Sequence, residues 1–224
     1  RQPCLRIPEN LRWIQQGNPP GPIPTARELH LENPDRRGDL TGGRPEALRI
    51  LRSFVNERGT HYAKELSSPN TAPHSCSRIS PYLTWGCVSM REVVQFVREA
   101  QADTLPARSK RAFLSRCHWH CHFVQKLEDE PEIEFFSFNR ISDSLRPESD
   151  LTRSRLEAWQ EGLTGYPMID ACMRFLRANG WINFRMRALL VSFAAYHLWI
   201  DWRLFKDFLA RQFVDYEPGI HFSQ

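Results

Sequence analysis

"GWINFRMRALLVSFAAYHLWIDWR", residues 180–203, has the apolar density of a core helix, yet Asn183, Arg185 and Arg187 sit in its first turns and it closes on Asp201, Trp202 and Arg203. Burying a guanidinium without a partner costs several kcal/mol, so arginines in such a run need carboxylates or a ligand to answer them. Asp201 and Asp215 are the carboxylates expected to pair with Arg185, Arg187 and Arg203. Residues 181–199 are apolar almost all round, the pattern of a buried central helix.

Helix punctuation continues on both sides. Upstream, Pro167 opens a helix that Gly180 stops, and Ser154-Arg-Leu-Glu157 reads as a capping box ahead of Trp159. Further back, residues 107–128 form a long helical stretch, and Ser89-Met-Arg-Glu92 is another capping box, before Val93, Val94, Phe96 and Val97. Pro45 starts a helix with Leu48, Leu51, Phe54 and Val55 on one face. Downstream, residues 202–213 read as an amphipathic helix. Strand signals are poor, and "EIEFFSF" at 132–138 suits a connecting segment better than a strand. The expected fold class is all-α from residue 44 to 224. Residues 1–43, with "GNPPGPIPT" and "NPDRRGDLTGG", read as a linker.

Composition narrows the function. The chain of 224 residues is 41% hydrophobic with a net charge of +4, an ordinary globular balance that permits nucleic acid binding without requiring it. Only four of the 30 basic residues are lysines, leaving 26 arginines, the residue suited to bidentate phosphate and carboxylate contacts. No apolar run is long enough to span a membrane. Six scattered cysteines without a CxxC pair suggest reduced thiols in an intracellular, cytoplasmic protein.

Two clusters invite chemistry. In "CHWHCH" (117–122), His118 and His122 share one helix face and Cys117 and Cys121 the next. Four ligands on one helix cannot surround a tetrahedral ion, so no metal is expected, and the cluster reads as a polar pocket wall. "SCSRISPYLTWG" (75–86) places Ser75, Ser77 and Ser80 around Arg78 before Pro81, which suits either an anion the size of a diphosphate or simple helix capping. Trp beside Arg, Asn or His recurs at 119–122, 181–187 and 199–203, suited to stacking on flat rings.

Taken in order, "SRISPYLTWGCVS" and "AWQEGLTGYPMIDACMRFLRANGWINFRMRALLVSF…LWIDWR" resemble the flavin-binding domain of the DNA photolyase/cryptochrome family over roughly residues 44–220. The resemblance implies an all-helical domain holding non-covalent FAD, with residues 1–43 as the connector from an N-terminal antenna domain. It also implies that the sequence is part of a longer protein, whose antenna chromophore is not specified. By resemblance Tyr62, Ser77, Arg78, Ile79, Ser80, Phe113, Arg187, Asp215 and Glu217 contact FAD, and Arg187 pairs with Asp215. Trp202 matches a middle member of the tryptophan chain that reduces the flavin in light, with the innermost member beyond Gln224; Trp119 and Trp181 match the pair flanking a flipped pyrimidine dimer. Three positions depart from the repair pattern: Arg116 stands for a glutamate, Phe184 for an asparagine and Ala188 for a methionine. Ser149 falls where the outermost tryptophan is usual, and the residue facing flavin N5 is expected near His221–Phe222. Two functions follow as expectations. One is a deoxyribodipyrimidine photo-lyase acting on UV-damaged DNA. The other is a blue-light photoreceptor without repair, signalling to a protein partner.

Overall fold

The structure, a computed structural model, describes residues 21–22, 24–25, 27–30 and 40–224. Backbone contacts divide the chain into units 1–36 and 37–224. Most of the expected linker, and Cys4 with it, lies outside the described residues. In the first unit Thr25 caps a single turn, its amide donating to Glu28 Oε2 at 2.8 Å.

The second unit is built from helices, with no strand among the described residues. They are α1 (Arg44–Asn56), α2 (Tyr62–Glu65), α3 (Ala72–Ser75), α4 (Ser80–Thr84), α5 (Met90–Glu99) and α6 (Ala107–Asp129), followed by α7 (Asp150–Glu161), α8 (Pro167–Asn179), α9 (Phe184–Ser192), α10 (Lys206–Gln212) and α11 (Pro218–Phe222). The all-α expectation and the α1, α5, α6 and α8 placements hold. Ser89 caps α5 as its box requires, accepting from Glu92 N at 3.2 Å. "EIEFFSF" is a connecting segment that opens with a 3₁₀ turn at Pro131–Glu134.

Two apolar cores result. One joins α1, α5 and the start of α6 through Leu51, Phe54, Val93, Val97, Leu105 and Phe113. The other joins α7, α8, α9 and α10 around Trp159, Met173, Leu176, Leu190 and Leu209. The C-terminal α11 lies on α6 so closely that a Cβ on Gly219 would meet the Phe123 carbonyl oxygen at 2.5 Å.

Three sequence expectations are corrected. Ser154 lies inside α7, and the cap is Ser149, whose hydroxyl accepts from Thr152 N at 3.2 Å. Ser149 wins because the helix begins one turn earlier, with Asp150 placed favourably in the first turn of its dipole. Residues 181–199 are not one helix. Gly180 turns left-handed (φ 64) and its carbonyl accepts from Val214 N at 2.9 Å, which draws Trp181–Asn183 out of helical conformation before α9 starts. After Ser192 the chain widens into a π-turn at Phe193–His197. The expected 202–213 helix is a 3₁₀ turn at Trp202–Leu204 and then α10.

Gly180 is therefore fixed twice, by its positive φ and by a neighbour: a Cβ there would lie 2.6 Å from Val214 Cγ1. Gly180→Ala is expected to destabilise the protein by about 1–3 kcal/mol in chemical denaturation, through backbone strain and overpacking. A second expectation concerns acid. Burial pushes the His221 imidazole down to about 4, while its Nε2 lies 2.9 Å from the Lys206 carbonyl oxygen. The folded value lies below the unfolded one of about 6.5, so the unfolded chain binds the extra proton between them. Stability is complete above that unfolded value and is lost as pH falls toward the folded one, by about 3 kcal/mol in all. His221→Gln should flatten that part of the stability–pH curve.

Candidate cofactor site

Five stretches distant in sequence converge on one cleft of about 360 Å³: α2, the 76–84 run, the middle of α6, residues 181–187 and residues 215–220. Its floor is the ion pair between Arg187 and Asp215, with Nη2 to Oδ1 at 2.7 Å and side chains 8% and 5% exposed. The Arg187 guanidinium also lies 3.7 Å from the centre of the Phe213 ring. Of the three arginines expected to meet Asp201 or Asp215, Arg187 pairs with Asp215 and Arg203 with Asp201, the latter at 2.8 Å, while Arg185 is exposed.

The pair is held from several directions. Trp85 Nε1 donates to the Val214 carbonyl at 3.0 Å, and Val214 N donates to Gly180, so the segment bearing Asp215 is clipped on both sides. Arg58 steadies the opposite wall, donating to the carbonyls of Cys76, Ser77 and Ile50. Arg78, the next residue in that wall, has a left-handed backbone (φ 57) and its guanidinium stacks 4.1 Å from the centre of Trp181. Burial disfavours the Arg78 charge, and Asp215 opposes that effect.

Among the expected FAD contacts, Tyr62, Ser77, Arg78, Ser80, Arg187, Asp215 and Glu217 all line the cleft. So do Arg116, Trp119, Trp181 and Phe184, which brings the two tryptophans expected to flank a base and two of the three altered positions into the same site, while Ala188 does not line it. Ile79 and Phe113 do not line it; they are buried in the core behind that wall. Ser75 turns away, donating to the Thr71 carbonyl at 3.1 Å, and Ser77 Oγ accepts weakly from Ile79 N at 3.4 Å. Trp202 and His221 line a different cavity, of about 660 Å³, between residues 133–146, 191–209 and the C-terminal turn. Ile220, not His221, reaches the first cleft.

Two further cleft residues were not assigned as cofactor contacts from sequence, although the pocket-wall reading of the cluster at 117–122 took in one of them, His120. Asn183 is buried and donates through Nδ2 to the Leu66 carbonyl at 3.1 Å, while its Oδ1 has no protein partner. A buried amide beside Arg187 in an apolar run was the available signal. His120 also lines the cleft, where burial lowers its pKa against the pull of Glu217 and Asp215. It was hidden inside the "CHWHCH" cluster, whose His118 and His122 are exposed while Cys117 is buried. Among the described residues no group of three or more His, Cys, Asp or Glu side chains is placed to hold a metal. Burial pushes the Cys76 thiol up to about 12, so a cleft thiolate is disfavoured. No helix of the described residues is long and apolar enough to cross a membrane.

Comparison with known proteins agrees with this geometry. The family model described as the FAD binding domain of DNA photolyase matches residues 113–224. A deoxyribodipyrimidine photo-lyase of Alkalihalophilus pseudofirmus is 31% identical over 79% of this chain and 36% of its own length. Cryptochrome DASH of Danio rerio is 28% identical over 96% of this chain and 42% of its own. The crystal structure of a bacterial class III photolyase from Agrobacterium tumefaciens superposes with a TM-score of 0.76 at 27% identity, covering 82% of this chain and 37% of that one. The chain thus spans well under half the length of these relatives. Matching half of the chain to the family model, with the same helical fold in a solved relative, shows that this chain belongs to the DNA photolyase/cryptochrome family and carries its FAD-binding domain.

Proposed function

We propose that FAD binds non-covalently in the cleft above Arg187–Asp215 and that the protein is a light-driven electron-transfer flavoprotein with weak or absent dimer repair. The observation that carries the cofactor assignment is the charge lining that cleft. Arg78, Arg116 and Arg187 lie with Asp215 and Glu217; the buried Arg187 and Asp215 already answer each other, which leaves an excess of one positive charge. An anionic diphosphate answers it, and a ligand N–H answers the unpartnered Asn183 Oδ1. These residues fit FAD. When bound, the cofactor supplies light absorption and one-electron chemistry.

The chain's own groups then have distinct tasks. Arg78, Ser77 and Ser80 hold the diphosphate. Asp215 keeps Arg187 oriented and charged beside the ring system. Tyr62, whose hydroxyl burial holds protonated, offers a donor at the cleft wall. Burial favours the neutral imidazole of His120, so that it adds no further positive charge beside Arg78, Arg116 and Arg187. Trp202 acts as an electron relay, its ring anchored by Nε1 donating to Ser137 Oγ at 3.1 Å.

The photoreceptor reading is favoured over repair by the cleft mouth. The Arg116 guanidinium lies 5.7 Å from the centre of the half-exposed Phe184 ring, so two of the three departures from the repair pattern face each other. Arginine has five donors and no acceptor, and cannot take the base N–H that a carboxylate would accept. Trp119 beside it, and exposed Arg185, leave a mouth able to meet bases and phosphates without reading a lesion.

Arg78→Ala with Ser80→Ala is expected to strip FAD from the purified protein, read as flavin absorbance per polypeptide; full flavin content in that double variant removes the diphosphate assignment. On dimer-containing oligonucleotides, illuminated protein with fully reduced flavin is expected to restore little thymine absorbance. Its DNA binding should be salt-sensitive and nearly equal for damaged and intact strands. Turnover of about 1 per second or faster under saturating light would make the protein a repair enzyme instead.

A further inference from the structure

The mouth of the first cleft carries two aromatic rings that no core claims. Trp119 is 48% exposed and Phe184 45%, although both line the cleft. Trp119 is braced by two neighbours on its own helix. His122 meets it edge-on with ring centres 5.7 Å apart, and Phe123 lies 5.7 Å away, tilted by 32°. A ring that is exposed yet braced loses little freedom on binding, which suits a stacking platform for a base. Arg116 stands three residues before Trp119 on α6, so the two share a face of that helix. Its guanidinium lies 5.7 Å from the centre of Phe184, across the mouth on α9. Among the described residues no ion pair engages Arg116, whereas Arg187 and Arg203 each have a carboxylate. The mouth thus offers two open ring faces and one uncommitted set of donors.

We propose that this mouth binds an unpaired guanine of a single strand, read by Arg116 and stacked on Trp119 and Phe184. The proposal rests on the reading of the mouth as a nucleic-acid contact and adds base identity to it. Donors and acceptors decide the base. Arg116 presents only N–H donors, so it grips an edge with two neighbouring acceptors. Guanine sets O6 and N7 side by side, and arginine is their commonest partner. Adenine has an amino group beside N7, and thymine has N3–H between its two carbonyls, so neither edge accepts twice. Unpaired cytosine sets O2 beside N3, but its single ring covers less of the Trp119 face than a purine does. The glutamate that the family resemblance places at this position would accept the thymine N3–H instead. Arg116 therefore turns the pocket from thymine toward guanine. Exposed Arg185, next to Phe184, is left for a phosphate of the same strand. A single strand is favoured over a duplex, because no base pair has to open for the base to reach the rings.

The test uses FAD-loaded protein in the dark and short dye-labelled oligothymidylate strands with one central dG, dC, dA or dT, read by fluorescence anisotropy at fixed salt. The dG strand should bind about tenfold more tightly than the all-thymine strand. A central 7-deazaguanine, which lacks the N7 acceptor, should lose most of that gain. Arg116→Gln should move the preference from guanine to adenine, the base that glutamine pairs with through N6 and N7. A melting temperature matching wild type qualifies the variant, and the 7-deazaguanine comparison stands without it. Equal, salt-sensitive affinity for all four strands overturns the guanine assignment and leaves the mouth as a phosphate contact. Tightest binding to thymine or cytosine, a gain that 7-deazaguanine keeps, or a folded Arg116→Gln protein that still prefers guanine overturns it too. If no strand binds measurably, the nucleic-acid reading of the mouth fails with it.

Discussion

The buried pair of Arg187 and Asp215 is the constraint around which this domain is arranged. Two ions at 2.7 Å in an interior survive only when their geometry is fixed, because either one left alone would carry an uncompensated charge worth about 3–5 kcal/mol. The left-handed turn at Gly180, its bond from Val214, and the indole N–H of Trp85 on Val214 all act on the two short segments that present these side chains. Phe213 adds a ring face under the guanidinium. A ligand arriving in the cleft therefore meets a charge that is already oriented, so little ordering remains to be done on binding.

The opposite wall is organised by another arginine. Arg58 gives its donors to three backbone carbonyls, two of them in the Cys76–Ser77 stretch, and so fixes the chain where Arg78 turns left-handed. That turn lays Arg78 on Trp181, which belongs to the same short segment as Asn183 and Arg187. The wall that carries Arg78 and the aromatic wall are thus one packed unit. A change at Arg78 is felt at Trp181 as well as at any phosphate, and effects of substitutions at these positions are not expected to add.

The two cavities divide the chemistry by location. The first gathers opposing charges, hydroxyls and an unpartnered amide, a setting for a polar cofactor. The second gathers the aromatic rings of Tyr196, Trp199, Trp202 and Phe222 together with Arg146 and Lys206. Residues 193–204 supply the second cavity through irregular backbone, a π-turn, a strained tryptophan and a 3₁₀ turn in succession. Such a run departs from the most stable local choice at each step, as is common where a chain carries function.

Local pattern in the sequence was enough for the fold class and for much of the site. Proline at helix starts, Ser89 with Glu92, and Gly180 at a helix end are short-range signals that need no tertiary partner, and they placed α1, α5 and α8. Arginines inside an apolar run demanded carboxylates and pointed to Asp201 and Asp215, and the resemblance to the family singled out Arg187 with Asp215. Long-range contacts decided the remainder. A bond from Asn183 to Leu66, 117 residues away, leaves no periodic trace, and neither does the break of residues 181–199 by Gly180 and Val214. Ser149 rather than Ser154 caps α7: two serines five residues apart can each start a helix, and the local pattern does not choose between them. The π-turn at Phe193–His197 and the left-handed Trp199 after it leave no period in the sequence to read, and neither does the placement of Trp202 in the second cavity.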